Sequence, residues 1–260
     1  AQGRGNVPFL FYSRRIGLDG GRPVPIQAGG RVAGQIGAFS VGVIDIRTEA
    51  DPVSGADATN FSVLRVQRNV LRRSSVGAMF TGRSASATAS GSNQAYGLDG
   101  RLAFYQNLTA DLYWAQTRTG GKSGDDTSYR AQFNYNADRY GLNLHRLVVG
   151  KNFNPDVGFI FRNDISKYFT QFRFSPRPAS IKSVRKFSWQ GQVDYIENGA
   201  GQLATRDLEG QFNVDFANSD AVNLTYLDSY QQLDKPFEIA SGVIIPVDAY
   251  IPGCPPKPEA

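Results

Sequence analysis

From Tyr96 to Trp114 apolar residues take every second place. Tyr96, Leu98, Leu102 and Phe104 fall on one parity with Gly100, and Asp99 and Arg101 fall on the other. After Tyr105-Gln106-Asn107 the alternation resumes, with Leu108, Ala110, Leu112 and Trp114 against Thr109, Asp111 and Tyr113. Side chains on a strand alternate between its faces, so this stretch predicts a hairpin with one apolar and one charged face. Its arms of about ten residues exceed the five or six of an ordinary soluble strand and match a tilted strand crossing a bilayer.

The same period recurs along the chain. It predicts strands over 26–36, 39–48, 61–67, 75–82, 129–137, 140–145, 165–174, 187–195, 208–216 and 222–226, roughly twelve with the hairpin arms. The cleanest sets Tyr129, Ala131, Phe133 and Tyr135 against Arg130, Gln132 and Asn134. Connections near Gly37, Arg68, Tyr105, Asp138, Ser175 and Asn218 are mostly short. Those at Glu49, Ser84, Arg118 and Gly150 are long, and the one at Glu197 is intermediate. Short turns at one end and long loops at the other are the habit of outer-membrane barrels. Aromatics gather at the ends of the apolar faces: Phe104, Tyr140, Phe174 and Phe216 beside short turns, and Trp114, Tyr129 and Tyr195 toward long loops, with Trp189 in the same apolar series. Two belts of this kind match interfacial girdles. The fold expected is all-β, an antiparallel up-and-down transmembrane β-barrel over residues 1–250. The Pro-rich stretch 251–260 is expected to be a tail without a fold.

Composition narrows the function classes. No run of about eighteen apolar residues exists, which excludes a transmembrane helix but not a barrel. The net charge is +5, with 28 Lys and Arg interleaved among 23 acids, so no sustained basic run points to nucleic acid. One Cys, Cys254, and one His, His145, build neither a disulfide framework nor a Cys/His metal site. The run Gly120-Gly121-Lys122-Ser123-Gly124 lacks phosphate-loop spacing and a following helix, and Asp125-Asp126 lacks the calcium-loop pattern. Each reads as an exposed loop. No cofactor and no metal are expected, and no enzyme activity is expected.

The residues expected to face a wet lumen by parity are Arg31, Asp45, Arg47, Asp99, Arg101, Asp111, Arg130, His145, Arg173, Asp194, Glu209 and Asp215, with Arg65 among them. Such a mixed set suits both a ladder of cross-strand ion pairs and a selective pore wall. Two other readings stay open. A soluble β-sandwich would bind carbohydrate through Trp114 and Trp189. A barrel-borne hydrolase would use His145 as general base and would need a carboxylate or hydroxyl within reach of its ring.

Several motifs occur in order: Phe11-Tyr12-Ser13-Arg14-Arg15-Ile16-Gly17, Val70-Leu71-Arg72-Arg73-Ser74-Ser75, Ala137-Asp138-Arg139-Tyr140-Gly141, Asn154-Pro155-Asp156-Val157-Gly158-Phe159, Phe174-Ser175-Pro176-Arg177-Pro178 and Pro236-Phe237-Glu238-Ile239. Together, over about residues 9–250, they resemble an uncharacterised bacterial family of outer-membrane barrels. In that family the barrel follows a carbohydrate-binding domain similar to family nine. The resemblance implies a bacterial outer-membrane location, the lipid bilayer as partner, and a role in transport or in anchoring a glycan-binding domain. Against that family pattern the chain is expected to be a part, without the carbohydrate-binding domain, the first strands or the last.

Overall fold

A computed structural model describes residues 6–19, 21–233, 237–240 and 243–245. The protein is almost wholly β. A short pair, β1 (Leu18–Asp19) and β2 (Arg22–Pro23), is followed by β3 (Ile26–Ile36), β4 (Phe39–Thr48), β5 (Thr59–Val70), β6 (Ser74–Arg83), β7 (Asn93–Phe104) and β8 (Leu108–Thr119). Then come β9 (Thr127–Asn136), β10 (Tyr140–Val149), β11 (Ile165–Phe174), β12 (Val184–Asn198), β13 (Leu203–Phe216) and β14 (Ala221–Gln231), and a second short pair, β15 (Phe237–Ala240) and β16 (Val243–Ile245). The only helical element among the described residues is the 3-10 turn Ser13–Arg15.

Strands β3 to β14 form one twelve-stranded antiparallel sheet in which spatial order follows chain order, with β3 and β14 outermost. Twelve strands agree with the expected number, and several bounds coincide with those predicted from the period. The order is that of a meander, in which each strand pairs with its neighbour in sequence through a local connection. In the hairpin β7–β8, Leu98 stands opposite Trp114, Arg101 opposite Asp111 and Phe104 opposite Leu108. This is the register that the alternation and the three-residue turn demand, because a slip by one residue would exchange the two faces. Tyr105 takes the left-handed conformation of that turn, with φ 52°.

The chain divides into two compact units, residues 1–132 with 147–165 and residues 133–146 with 166–260. In the first, one face of β3–β8 carries Val32, Val43, Leu64, Val76, Leu98 and Trp114, all exposed. The opposite face is the covered one. Ala95, Thr81, Ala115 and Thr117 there are at most 1% exposed. Its small core is Phe61, Val63 and Val157, against which Phe11, Ile16 and Ile44 pack. The usual burial of apolar side chains is therefore inverted over most of the sheet, since the large apolar face is the one open to its surroundings.

In the second unit β12 and β13 pair over almost their whole length, with Trp189 opposite Phe212 and Gln192 opposite Glu209. The exposed face carries Trp189, Val193, Leu224 and Tyr226, and β14 continues it through Val222. Aromatic rings form a row across adjacent strands of this unit. Tyr140 stacks on Phe174 at 5.3 Å, Phe174 on Trp189 at 5.8 Å, and Trp189 lies 5.2 Å from Phe212. At the other end of the strands Tyr168 meets Tyr195 edge-on at 6.4 Å, and the Arg146 guanidinium sits 4.5 Å over the Tyr168 ring.

Candidate functional site

The polar face of the first unit combines an ion-pair lattice with a segment folded onto it. Arg65 on β5 extends over Gly77 on β6 and grips both carboxylate oxygens of Asp99 on β7, with Nη2 to Oδ1 at 2.8 Å. A β-carbon at Gly77 would stand 2.6 Å from that guanidinium, so glycine is what opens the path. Arg101 and Asp111, directly opposite one another, approach to 3.8 Å. Opposite charges at such positions hold neighbouring strands in register.

The segment 150–163 does not behave as a free loop. Phe153 and Val157 are buried completely or nearly so. Asp156 is 7% exposed, and its carboxylate accepts hydrogen bonds from the Ser86 hydroxyl (2.6 Å), the Ala87 N–H (2.9 Å) and the Asn154 amide (2.8 Å). Asn93 anchors the same segment from β7. Its Nδ2 donates to the Asn154 carbonyl at 2.7 Å, and its Oδ1 accepts the Asp156 N–H at 3.1 Å. Three neutral donors thus satisfy a nearly buried carboxylate, as burial requires. The N-terminal stretch pairs with this segment through reciprocal Phe9–Phe159 backbone bonds at 2.8 Å, and Tyr12 N–H donates to the Val157 carbonyl at 2.9 Å. The connections at Ser84 and Gly150 are long, as expected, and Asp156 ties the two together. Sequence alternation is silent on such contacts, because they join residues about seventy positions apart in the chain.

The second unit carries its own polar face. Lys167 Nζ bonds Asp194 at 2.6 Å, with the lysine side chain only 3% exposed. A buried ammonium must have such a partner. Gln171 donates to Gln192 at 3.1 Å, and Gln192 and Gln211 both donate to Glu209. Asn213 donates to Asp215 at 3.1 Å. Arg173 is used differently from a pore-wall charge: it donates to the carbonyls of Asp138 (3.0 Å) and Ala137 (2.5 Å), to Asn136 (3.0 Å) and to Ser175 (2.9 Å). It therefore ties down the turn between β9 and β10. At that turn Asp138 binds Arg177, with Nη2 to Oδ1 at 2.8 Å, and this hydrogen bond holds the Asp138 carboxyl below its ordinary range.

Of the residues expected on the charged face, Asp99, Arg101 and Asp111 share one face of the β7–β8 hairpin. Asp194, Glu209 and Asp215 share one face of β12–β13. Arg31 stands opposite Ile44 and shares its covered face. Asp45 and Arg47 correct the parity reading. They share the face of Val43 and Leu64, and Asp45 accepts a hydrogen bond from the Ser62 hydroxyl at 2.6 Å. The alternation of β4 is as expected, but polarity alone assigns its faces the wrong way round. Ile44 and Ile46 point to the covered side, where the folded segment supplies an apolar partner. Arg130 is half-buried between the exposed Tyr129 and Ala131. His145 is 4% exposed, between the exposed Leu144 and Arg146. Of the aromatics expected as girdles, Phe104, Trp114, Tyr129, Tyr140 and Trp189 are exposed, and Phe174, Tyr195 and Phe216 are partly exposed. No group of three or more His, Cys, Asp or Glu suited to a metal ion occurs among the described residues.

Comparison with known proteins is narrow. No family model matches the chain, and no solved structure is significantly similar. One of the NADH-quinone oxidoreductase subunits of Myxococcus xanthus is 36% identical over 102 residues, which cover 38% of this chain and 48% of that protein. The chain thus spans about half the length of that curated relative.

Proposed function

We propose that this chain is a membrane-embedded part of a bacterial outer-membrane β-barrel that acts in transport, or as the anchor of a glycan-binding domain. One observation carries the reading. A twelve-stranded meander exposes Val32, Leu98, Trp114, Phe172 and Leu224 on apolar faces, and the Arg65–Asp99 and Lys167–Asp194 pairs lie on the opposite faces of their strands. In water such a surface would aggregate, and in a bilayer it needs no cover. A closed barrel would also satisfy the outer edges of β3 and β14, which hydrocarbon would otherwise leave without partners. The segment 150–163 then acts as a plug over the polar face of the first unit, beside the Arg65–Asp99 pair.

The sandwich alternative draws less support, because its core would have to bury aliphatic side chains such as Val32, Leu98 and Leu224, which stand exposed. The partial match to an oxidoreductase component covers too little of either chain to move the reading. The test is fractionation of cells expressing the parent protein, followed by migration on a gel with and without boiling. Recovery in the outer membrane with a compact, heat-sensitive band is the expected result. Recovery as a soluble species would overturn the proposal.

A further inference from the structure

A concave site of about 200 Å³ lies within the first unit, between the loop after β8 and the segment 150–163. Its lining includes Lys122, Lys151, Arg162, Asn163 and Phe161, and no acidic side chain. Lys122 and Lys151 come from different loops, so their sharing one concavity depends on what holds those loops together. The scaffold is visible. Asn152 Nδ2 donates to the Ser123 and Gly124 carbonyls at 3.2 and 2.9 Å, locking the Lys151 loop to the Lys122 loop. Asn152 N–H donates to the Asp125 carbonyl at 2.9 Å, and a β-carbon at Gly150 would collide with that same carbonyl. Asn163 Nδ2 closes the ring onto the Lys151 carbonyl at 3.1 Å. Neither lysine forms an ion pair with a described residue. Phe161 stands 56% exposed at the rim, braced by Phe159 at 4.8 Å.

We propose that this site binds an anionic sugar, with the phosphate or carboxylate between Lys122 and Lys151 and the ring face against Phe161. Two ammonium groups supply charge-assisted donors for such an anion. A rigid, exposed phenyl ring supplies the flat apolar surface that the C–H face of a sugar ring covers. The site is built within one unit, and its chemistry does not depend on how the sheet closes.

The test uses the full chain folded in detergent, titrated with glucose 6-phosphate, glucose, inorganic phosphate and lipopolysaccharide. Saturable, salt-sensitive binding of glucose 6-phosphate or lipopolysaccharide, at least tenfold tighter than glucose, is expected. Lys122→Ala/Lys151→Ala should weaken it about tenfold or more, because both charge-assisted donors are removed. Phe161→Ala should weaken the sugar phosphate while leaving inorganic phosphate unchanged. Preference for the soluble sugar phosphate over lipopolysaccharide assigns the site to a free solute, and the reverse assigns it to the membrane surface. Failure of both to bind, or equal binding by the double lysine variant, overturns the proposal. So does a sugar phosphate that binds no better than inorganic phosphate.

Discussion

Arg65 and Asp99 lie on strands that are not neighbours, yet they form a two-point ion pair because Gly77, on the strand between them, has no side chain. Both partners are roughly a third exposed, so solvent screens the pair. A double-mutant cycle with Arg65→Met and Asp99→Asn should give a coupling of about 0.5–1 kcal/mol, read from urea unfolding in detergent. Gly77→Val should cost the protein a similar amount and leave nothing for Asp99→Asn to remove. Additive effects of Gly77→Val and Asp99→Asn would show that Gly77 does not open the path.

Leu98 lies at the middle of β7 on the exposed apolar face. Leu98→Arg separates a lipid surround from an aqueous one. In a bilayer, a charge near the midplane should cost about 2–4 kcal/mol on folding into vesicles. Facing water, the same change should fall within about 0.5 kcal/mol. A near-neutral result would count against membrane embedding.

Gly158 packs where a β-carbon would collide with the Phe9 carbonyl. Gly158→Ala should therefore loosen the folded segment by about 1–3 kcal/mol, the usual cost of overpacking. Hydrogen exchange at the Phe9 and Phe159 amides reports it, since these two bond each other's carbonyls. Faster exchange there, with β12–β13 unchanged, is expected. Global loss of protection would mean the segment is part of the folding core rather than a separable cover.

Asp138 and Arg177 give a pH dependence of known sign. The hydrogen bond from Arg177 holds the Asp138 carboxyl below 3.8, with Lys186 and Arg173 adding to the attraction. A carboxyl depressed in the folded state stabilises that state above its unfolded value and loses the contribution as pH falls through the folded one. Carboxyl NMR should place the Asp138 midpoint below 3.8, and Arg177→Gln should raise it. High salt should raise it too, because the pair is exposed. A midpoint indifferent to Arg177→Gln would remove the pair as its cause.

The alternation of Tyr96 to Trp114 carries the register of β7–β8, because period two and a three-residue turn leave little freedom. Strand number, alternation and the aromatic positions are legible for the same reason: each is a local property of the pleat. Which face of β4 meets the folded segment is not local. Ile44 and Asp45 alternate whichever way they point, and the choice is made by Val157 and Phe61 packing against Ile44. The covering of the polar face by 150–163 is equally hidden, since Asn93 and Asp156 lie far apart in the chain and meet only when the sheet is built. The strands, their order and their two-faced character are thus written in the chain itself. The pairing of Arg65 with Asp99, the covered face, and the joining of the Lys122 and Lys151 loops through Asn152 arise only on folding. They depend on contacts between residues on separate strands and loops, which a repeat of two cannot encode.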